Sequence, residues 1–88
     1  MKEFPNITEA EWPIMNVLWG RESATAAEIV DAVTAERDVS MRTVKTLIRR
    51  LIAKNAVSYA VDDRDLRVYH YRALVSKDEA ISRKNSTF

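Results

Sequence analysis

Arg42, Lys45, Arg49, Arg50 and Lys54 follow one another in a stretch that holds no acidic residue, with Thr43 and Thr46 set between them. Guanidinium and ammonium groups at this density neutralise phosphates, and guanidinium forks and short hydroxyls are also the groups that hydrogen-bond to base edges. The chemistry on offer is recognition of a polyanion. Little else in the chain is reactive: there is no cysteine and a single histidine, His70, so thiol chemistry, thiolate metal sites and histidine-rich metal sites are excluded. Asp62, Asp63 and Asp65 lack the glycine and the distant glutamate of a calcium loop, and read as a solvated turn. No nucleophile, base or metal constellation supports an enzyme, and no cofactor is expected in this chain.

The net charge of +1 conceals a strong polarity. Residues 1–38 carry 5 negative charges net, residues 39–60 carry 5 positive charges with no acid, and residues 61–88 carry +1. A domain with one basic face is the electrostatic footprint expected of a polyanion binder. With 88 residues, 47% of them hydrophobic, the chain makes one small core. It has no apolar run of membrane-spanning length, and the opening Met1-Lys2-Glu3-Phe4-Pro5-Asn6 has no leader-peptide character, so a cytoplasmic location is expected.

The elements that must position the basic stretch can be placed. Thr8-Glu9-Ala10-Glu11 is a capping box ahead of a helix running through Ile14, Met15, Val17, Leu18 and Trp19 to Gly20, with Pro13 expected to bend it or delay its start. Thr25-Ala26-Ala27-Glu28 opens a second helix, with Ala26, Ile29, Val30 and Val33 on one face, fading near Glu36 to Asp38. Ser40 caps a third, from Met41 to about Lys54, and Asn55 suits the left-handed position that ends it. On a helical wheel centred on Val44, Leu47, Ile48 and Leu51 fall within about 60°, while Arg42, Thr46 and Arg49 lie about 140° to 160° away. Lys45 takes one flank at about 100°; Thr43, Arg50 and Lys54 take the other. Val57, Tyr59 and Val61 alternate with small residues, a polar turn follows at Asp62-Asp63-Arg64-Asp65, and Leu66 to Arg72 resumes a β-rich pattern, which makes a hairpin. Trp12, Trp19, Tyr59, Tyr69 and Tyr71 read as core and hairpin packing and His70 as a surface strand residue. Ser76-Lys77-Asp78-Glu79 announces one more short helix before a polar end from Ser82.

The fold class is mainly α with a small antiparallel β-hairpin: a winged helix-turn-helix of three helices plus a wing. Residues 1–75 form the winged-helix domain, and 76–88 the start of a truncated C-terminal helix or a disordered tail. Arg42, Thr43, Lys45 and Thr46, on the first turns of the exposed face, suit base reading in the major groove, and Arg49, Arg50 and Lys54 suit phosphates. Arg64 and Arg67 would let the hairpin tip touch the DNA backbone or minor groove. Five phosphate contacts predict a salt dependence with a slope of about −4 to −5. The competing class is a winged helix that docks its third helix on an acidic protein, which predicts no preference among DNA sequences.

The run Thr8-Glu9-Ala10-Glu11-Trp12-x-x-Met15-x-x-x-Trp19, then Ser40-x-x-Thr43-Val44-x-Thr46-Leu47-x-x-Arg50-Leu51-x-x-Lys54-Asn55-Ala56 and a wing ending Tyr69-x-Tyr71, resembles the bacterial penicillinase, methicillin-resistance and copper-operon repressors, the BlaI/MecI/CopY group. The resemblance implies a repressor that binds TACA/TGTA-type inverted repeats of double-stranded operator DNA through this domain. It further implies a homodimer in the full-length protein, by a helical segment past residue 79 that this chain nearly lacks, and hence a monomer as this fragment. Val39 stands where the family usually has Trp, and Asn55 where it has Gly. The leaning is towards a copper-responsive operon, with a β-lactam-resistance operon as the alternative, although without cysteine the chain cannot sense copper through the C-terminal cluster of the copper-responsive members.

Overall fold

The computed structural model describes residues 5–85, with side chains described as far as Ser82, so residues 86–88 of the expected polar end lie outside the described residues. The order is α1 (Trp12–Trp19), β1 (Ala24–Thr25), α2 (Ala26–Glu36), α3 (Met41–Ala53), β2 (Val57–Val61), β3 (Tyr69–Ala73) and α4 (Lys77–Asn85). Among the described residues no helix is long and apolar enough to cross a membrane.

The first capping box forms, but around a turn rather than a helix end. The Thr8 N–H donates to Glu11 Oε1 at 3.0 Å and the Glu11 N–H to Thr8 Oγ1 at 3.3 Å, while α1 itself begins at Trp12. Pro13 is the reason: it stands in the first turn of α1, where its missing N–H removes no helical bond. The boxes at Thr25/Glu28 and Ser76/Glu79 form in full and open α2 and α4.

Ile14, Met15, Leu18, Ile29, Val33, Val44, Leu47, Ile48, Leu51, Val57 and Val75 close one core, which Ala80 on α4 also enters. Trp12 and Trp19 meet edge to face with centroids 5.3 Å apart, and Trp19 Nε1 donates to the Val75 carbonyl at 2.8 Å, fastening α1 to the lead-in of α4.

The sheet has three strands in the order β1-β3-β2, all antiparallel, rather than the two of a hairpin. The addition is β1, where Ala24 pairs with Tyr71 and Thr25 with His70; two residues are too short to show an alternation in sequence. β3 starts at Tyr69 and not at Leu66, because the turn is longer than the sequence suggests. Asp62 Oδ2 accepts the N–H groups of Arg64 and Asp65, both at 2.9 Å, and the Val68 N–H closes onto the Asp65 carbonyl at 2.9 Å. Asp62 and Asp65 are turn formers: their carboxylates accept backbone N–H groups of the turn.

Candidate nucleic-acid interface

α3 is delimited at both ends by its own sequence. Ser40 Oγ accepts the Thr43 N–H at 3.1 Å at the start. At the end Asn55 takes φ 63°, the Asn55 N–H donates to Ile52 O at 3.0 Å and the Ala56 N–H to Leu51 O at 2.9 Å. That bond pair is a Schellman stop, so asparagine performs the task that glycine most often performs at helix ends. Between these ends Val44, Leu47, Ile48 and Leu51 are buried, and Arg42, Thr43, Lys45, Thr46, Arg49 and Arg50 are exposed. Among the described residues no carboxylate forms an ion pair with Arg42, Lys45, Arg49 or Arg50.

The exposed face divides into two flanks. Arg42, Thr43, Thr46 and Arg50 line one shallow hollow together. Thr46 Oγ1 donates to the Arg42 carbonyl at 3.0 Å, which leaves its oxygen lone pairs pointing outward as acceptors, and Thr43 Oγ1 accepts from Ser40 Oγ at 3.0 Å, which leaves its own hydrogen to give. The hollow thus presents guanidinium donors, one hydroxyl acceptor and one hydroxyl donor, the functional groups that discriminate base edges in a major groove. Lys45 and Arg49 turn the other way, towards β3, and share a groove with Arg67.

Lys54 does not belong to this face. Its ammonium lies 2.8 Å from Glu11 Oε1 and donates to the Asn6 carbonyl at 2.9 Å, whereas the sequence groups it with Arg49 and Arg50 as a phosphate anchor. The cause is visible on the wheel: at about 80° from Val44, Lys54 is the cation nearest the apolar stripe and reaches inward across it. Glu11 is only 1% exposed. Burial pushes its carboxyl upward, but the Lys54 hydrogen bond, the Thr8 N–H and hydroxyl and the Lys54 charge outweigh that and hold it below the usual glutamate value.

In the wing, Arg64 is exposed, whereas Arg67 is paired: its Nε lies 3.1 Å and its Nη2 3.4 Å from the two oxygens of Asp65. That pair is open to water and easily broken by a competing phosphate. His70 is half-buried, with Nε2 2.9 Å from Asp62 Oδ1, and this contact leads the causes that hold Asp62 below the usual aspartate value. Tyr59 and Tyr69 stack at 5.0 Å and stay 50% and 40% exposed, so they pack on each other at the sheet face rather than in the core. Sequence reasoning missed Glu11, whose partner lies 43 residues away, and the groove between α3 and β3, whose apolar floor looked like ordinary core.

A helical core, a capped basic helix with its face open and a short sheet beside it define a winged helix. Solved structures of the same fold include the DNA-binding domain of the repressor BlaI, 28% identical with a TM-score of 0.75 over 90% of this chain and 93% of that one. The Bacillus licheniformis BlaI monomeric form in complex with the blaP half-operator matches equally, with 28% identity and a TM-score of 0.75 over 90% and 93% of the two chains. The penicillinase repressor family model matches residues 7–88, and the chain belongs to that family, which is one of repressors and not of enzymes. Among curated relatives, a penicillinase repressor of Staphylococcus aureus is 33% identical over 93% of this chain, and the methicillin resistance regulatory protein MecI of Mammaliicoccus sciuri is 30% identical over 93%. The chain spans 63% and 64% of the lengths of these two relatives.

Proposed function

We infer that this chain is the operator-binding part of a repressor of a β-lactam-resistance operon. The observation that carries the DNA-binding reading is the outward face of α3, where four cations and two threonines stand exposed without a carboxylate partner among the described residues. The choice of operon rests on the relatives, which are penicillinase and methicillin-resistance repressors; they favour this reading over the copper-responsive operon towards which the sequence resemblance leaned.

In this reading α3 lies in the major groove of a TACA/TGTA-type half-site. Arg42, Thr43 and Thr46 read base edges from their shared hollow, and Arg50 beside them holds a phosphate. Lys45, grouped with the base readers on sequence grounds, stands with Arg49 on the flank facing the wing and suits the backbone that would pass between helix and sheet. One copy occupies one half-site; the intact repressor, as a dimer, would occupy both. A protein complexed in monomeric form with a half-operator is among the matches, which supports binding by one copy.

An NMR titration with a TACA/TGTA duplex and a scrambled duplex tests this. Amide shifts should concentrate at residues 40–50 for the specific duplex, and affinity should fall with salt at a slope of about −2.7, the value for the three cations Lys45, Arg49 and Arg50 placed on phosphates. Identical shifts with both duplexes, or none, would point to a protein-docking helix instead.

A further inference from the structure

The flank of α3 that carries Lys45 and Arg49 does not end in solvent. It faces β3 across an open groove of about 700 Å³, floored by Ile48, Ile52, Val68 and Tyr71 and closed at one end by the start of α2. Lys45, Arg49 and Arg67 stand at its rim, no carboxylate among the described residues lines it, and the Asp65 carboxylate reaches Arg67 from outside the lining. Burial raises the Tyr71 hydroxyl above its ordinary value, the neighbouring tyrosines add to this, and Arg49 opposes it, which puts the guanidinium within electrostatic reach of the floor.

A DNA backbone satisfies only half of this arrangement. Phosphates match the rim, but a hydrated sugar-phosphate chain gains little from an aliphatic and aromatic floor. Sites of roughly 300 to 1,000 Å³ with an apolar lining and a few convergent polar groups are the usual form of small-molecule pockets. Matching floor and rim together takes a flat apolar body that carries an anionic group at one edge.

We propose that the groove between α3 and β3 is a binding site for a small aromatic anion, a carboxylate or sulfonate on a planar apolar body, and that its occupant excludes DNA by taking Lys45 and Arg49. Binding of the anion stands independently of the DNA-binding reading; the exclusion rests on it.

The probe is 8-anilinonaphthalene-1-sulfonate, with N-phenyl-1-naphthylamine as its uncharged counterpart, each titrated by fluorescence and by methyl NMR. The sulfonate should shift the Ile48 and Ile52 methyls, bind about tenfold more tightly than the uncharged compound, and lose that margin in K45A/R49A. Ala27→Glu supplies a second variant. Ala27 is exposed, lines the groove and sits in the first turn of α2, where an acid is favoured, so the domain folds while the new carboxylate repels the sulfonate. Shifts centred elsewhere, equal affinity for the two compounds, or indifference to both variants would overturn the site. Adding operator duplex should release the sulfonate, and simultaneous binding would overturn the exclusion. A dye that maps to the groove on a chain that ignores DNA would sink the operator reading and leave the site standing; a chain that binds DNA and places no dye in the groove does the reverse.

Discussion

Arg42, Lys45, Arg49 and Arg50 project from a helix that has no acid between Met41 and Ala53, whereas Arg64 and Arg67 stand among Asp62, Asp63 and Asp65. The helix therefore carries +4 and the turn −1, though both contain arginines at the tip of an exposed element. On the helix, Lys45 and Arg49 are like charges at i, i+4, and Arg42 places a cation at the positive end of the helix dipole; each arrangement costs a few tenths of a kcal/mol. Among the described residues no carboxylate pairs with these cations to relieve that repulsion, and a polyanion would. In the turn, relief is built in, since Arg67 grips Asp65 with two nitrogens. A cation's value for binding is set by what lies within four residues of it and across the fold, not by its presence in a basic run.

Lys54 makes the sharpest break, and the largest effect is expected there. Lys54→Met removes the ammonium and leaves the Glu11 carboxylate buried with only the Thr8 groups, which should cost about 2 to 4 kcal/mol of stability, somewhat under a fully buried pair because Lys54 keeps partial exposure. Operator affinity, measured well below the melting transition, should change less than twofold and the salt slope not at all. A fall in slope by about 0.9 would return Lys54 to the phosphate contacts. The same pair sets an acid limit. Because the Glu11 carboxyl is held low in the folded state, its contribution is present in full above its ordinary value of 4.5 and is lost as pH falls through the lowered one. Thermal melts against pH should show that loss in the parent chain and much less of it in Lys54→Met.

On the exposed face the next largest change is Arg42→Ala. It should remove about 1 to 3 kcal/mol of discrimination at one operator position, with Thr46→Ala flattening a neighbouring position by less. Arg50→Ala should weaken every duplex alike by about 1 kcal/mol and lower the salt slope by about 0.9. Binding to a panel of single-position operator variants at two salt concentrations separates these outcomes. If Arg42→Ala and Thr46→Ala both preserve the ranking of variants, the shared hollow is not where bases are read.

Periodicity and capping carried most of the fold in advance. The stripe Val44, Leu47, Ile48, Leu51, the Ser40 cap and the Asn55 stop are local patterns, and local hydrogen bonds enforce them. What escaped depends on contacts between distant residues. β1 exists because β3 offers Ala24 and Thr25 a partner, and Lys54 is drawn inward by a carboxylate whose burial is decided by the turn before Pro13. The wheel already set Lys45 apart from Thr43 and Arg50, yet only the position of β3 turns that angle into two distinct surfaces, a hollow lined by arginines and threonines and an apolar-floored groove.

The smallest expected effect tests the other half of the contrast. Asp65→Asn keeps an oxygen to accept the Arg67 N–H, which Asp65 Oδ1 takes at 3.0 Å, so the turn survives while the charge that holds the guanidinium is removed. Arg67→Ala alone should change operator affinity by less than about 0.5 kcal/mol, as expected for a solvent-exposed cation already engaged by a carboxylate. Asp65→Asn should raise affinity severalfold by freeing Arg67 and removing a like charge from the DNA side, and the double variant should lose the part owed to Arg67. A cycle with no coupling would mean that the wing cation contributes nothing even when released. The gain would then come only from subtracting a negative charge, and the wing would act on DNA through its net charge rather than through a contact.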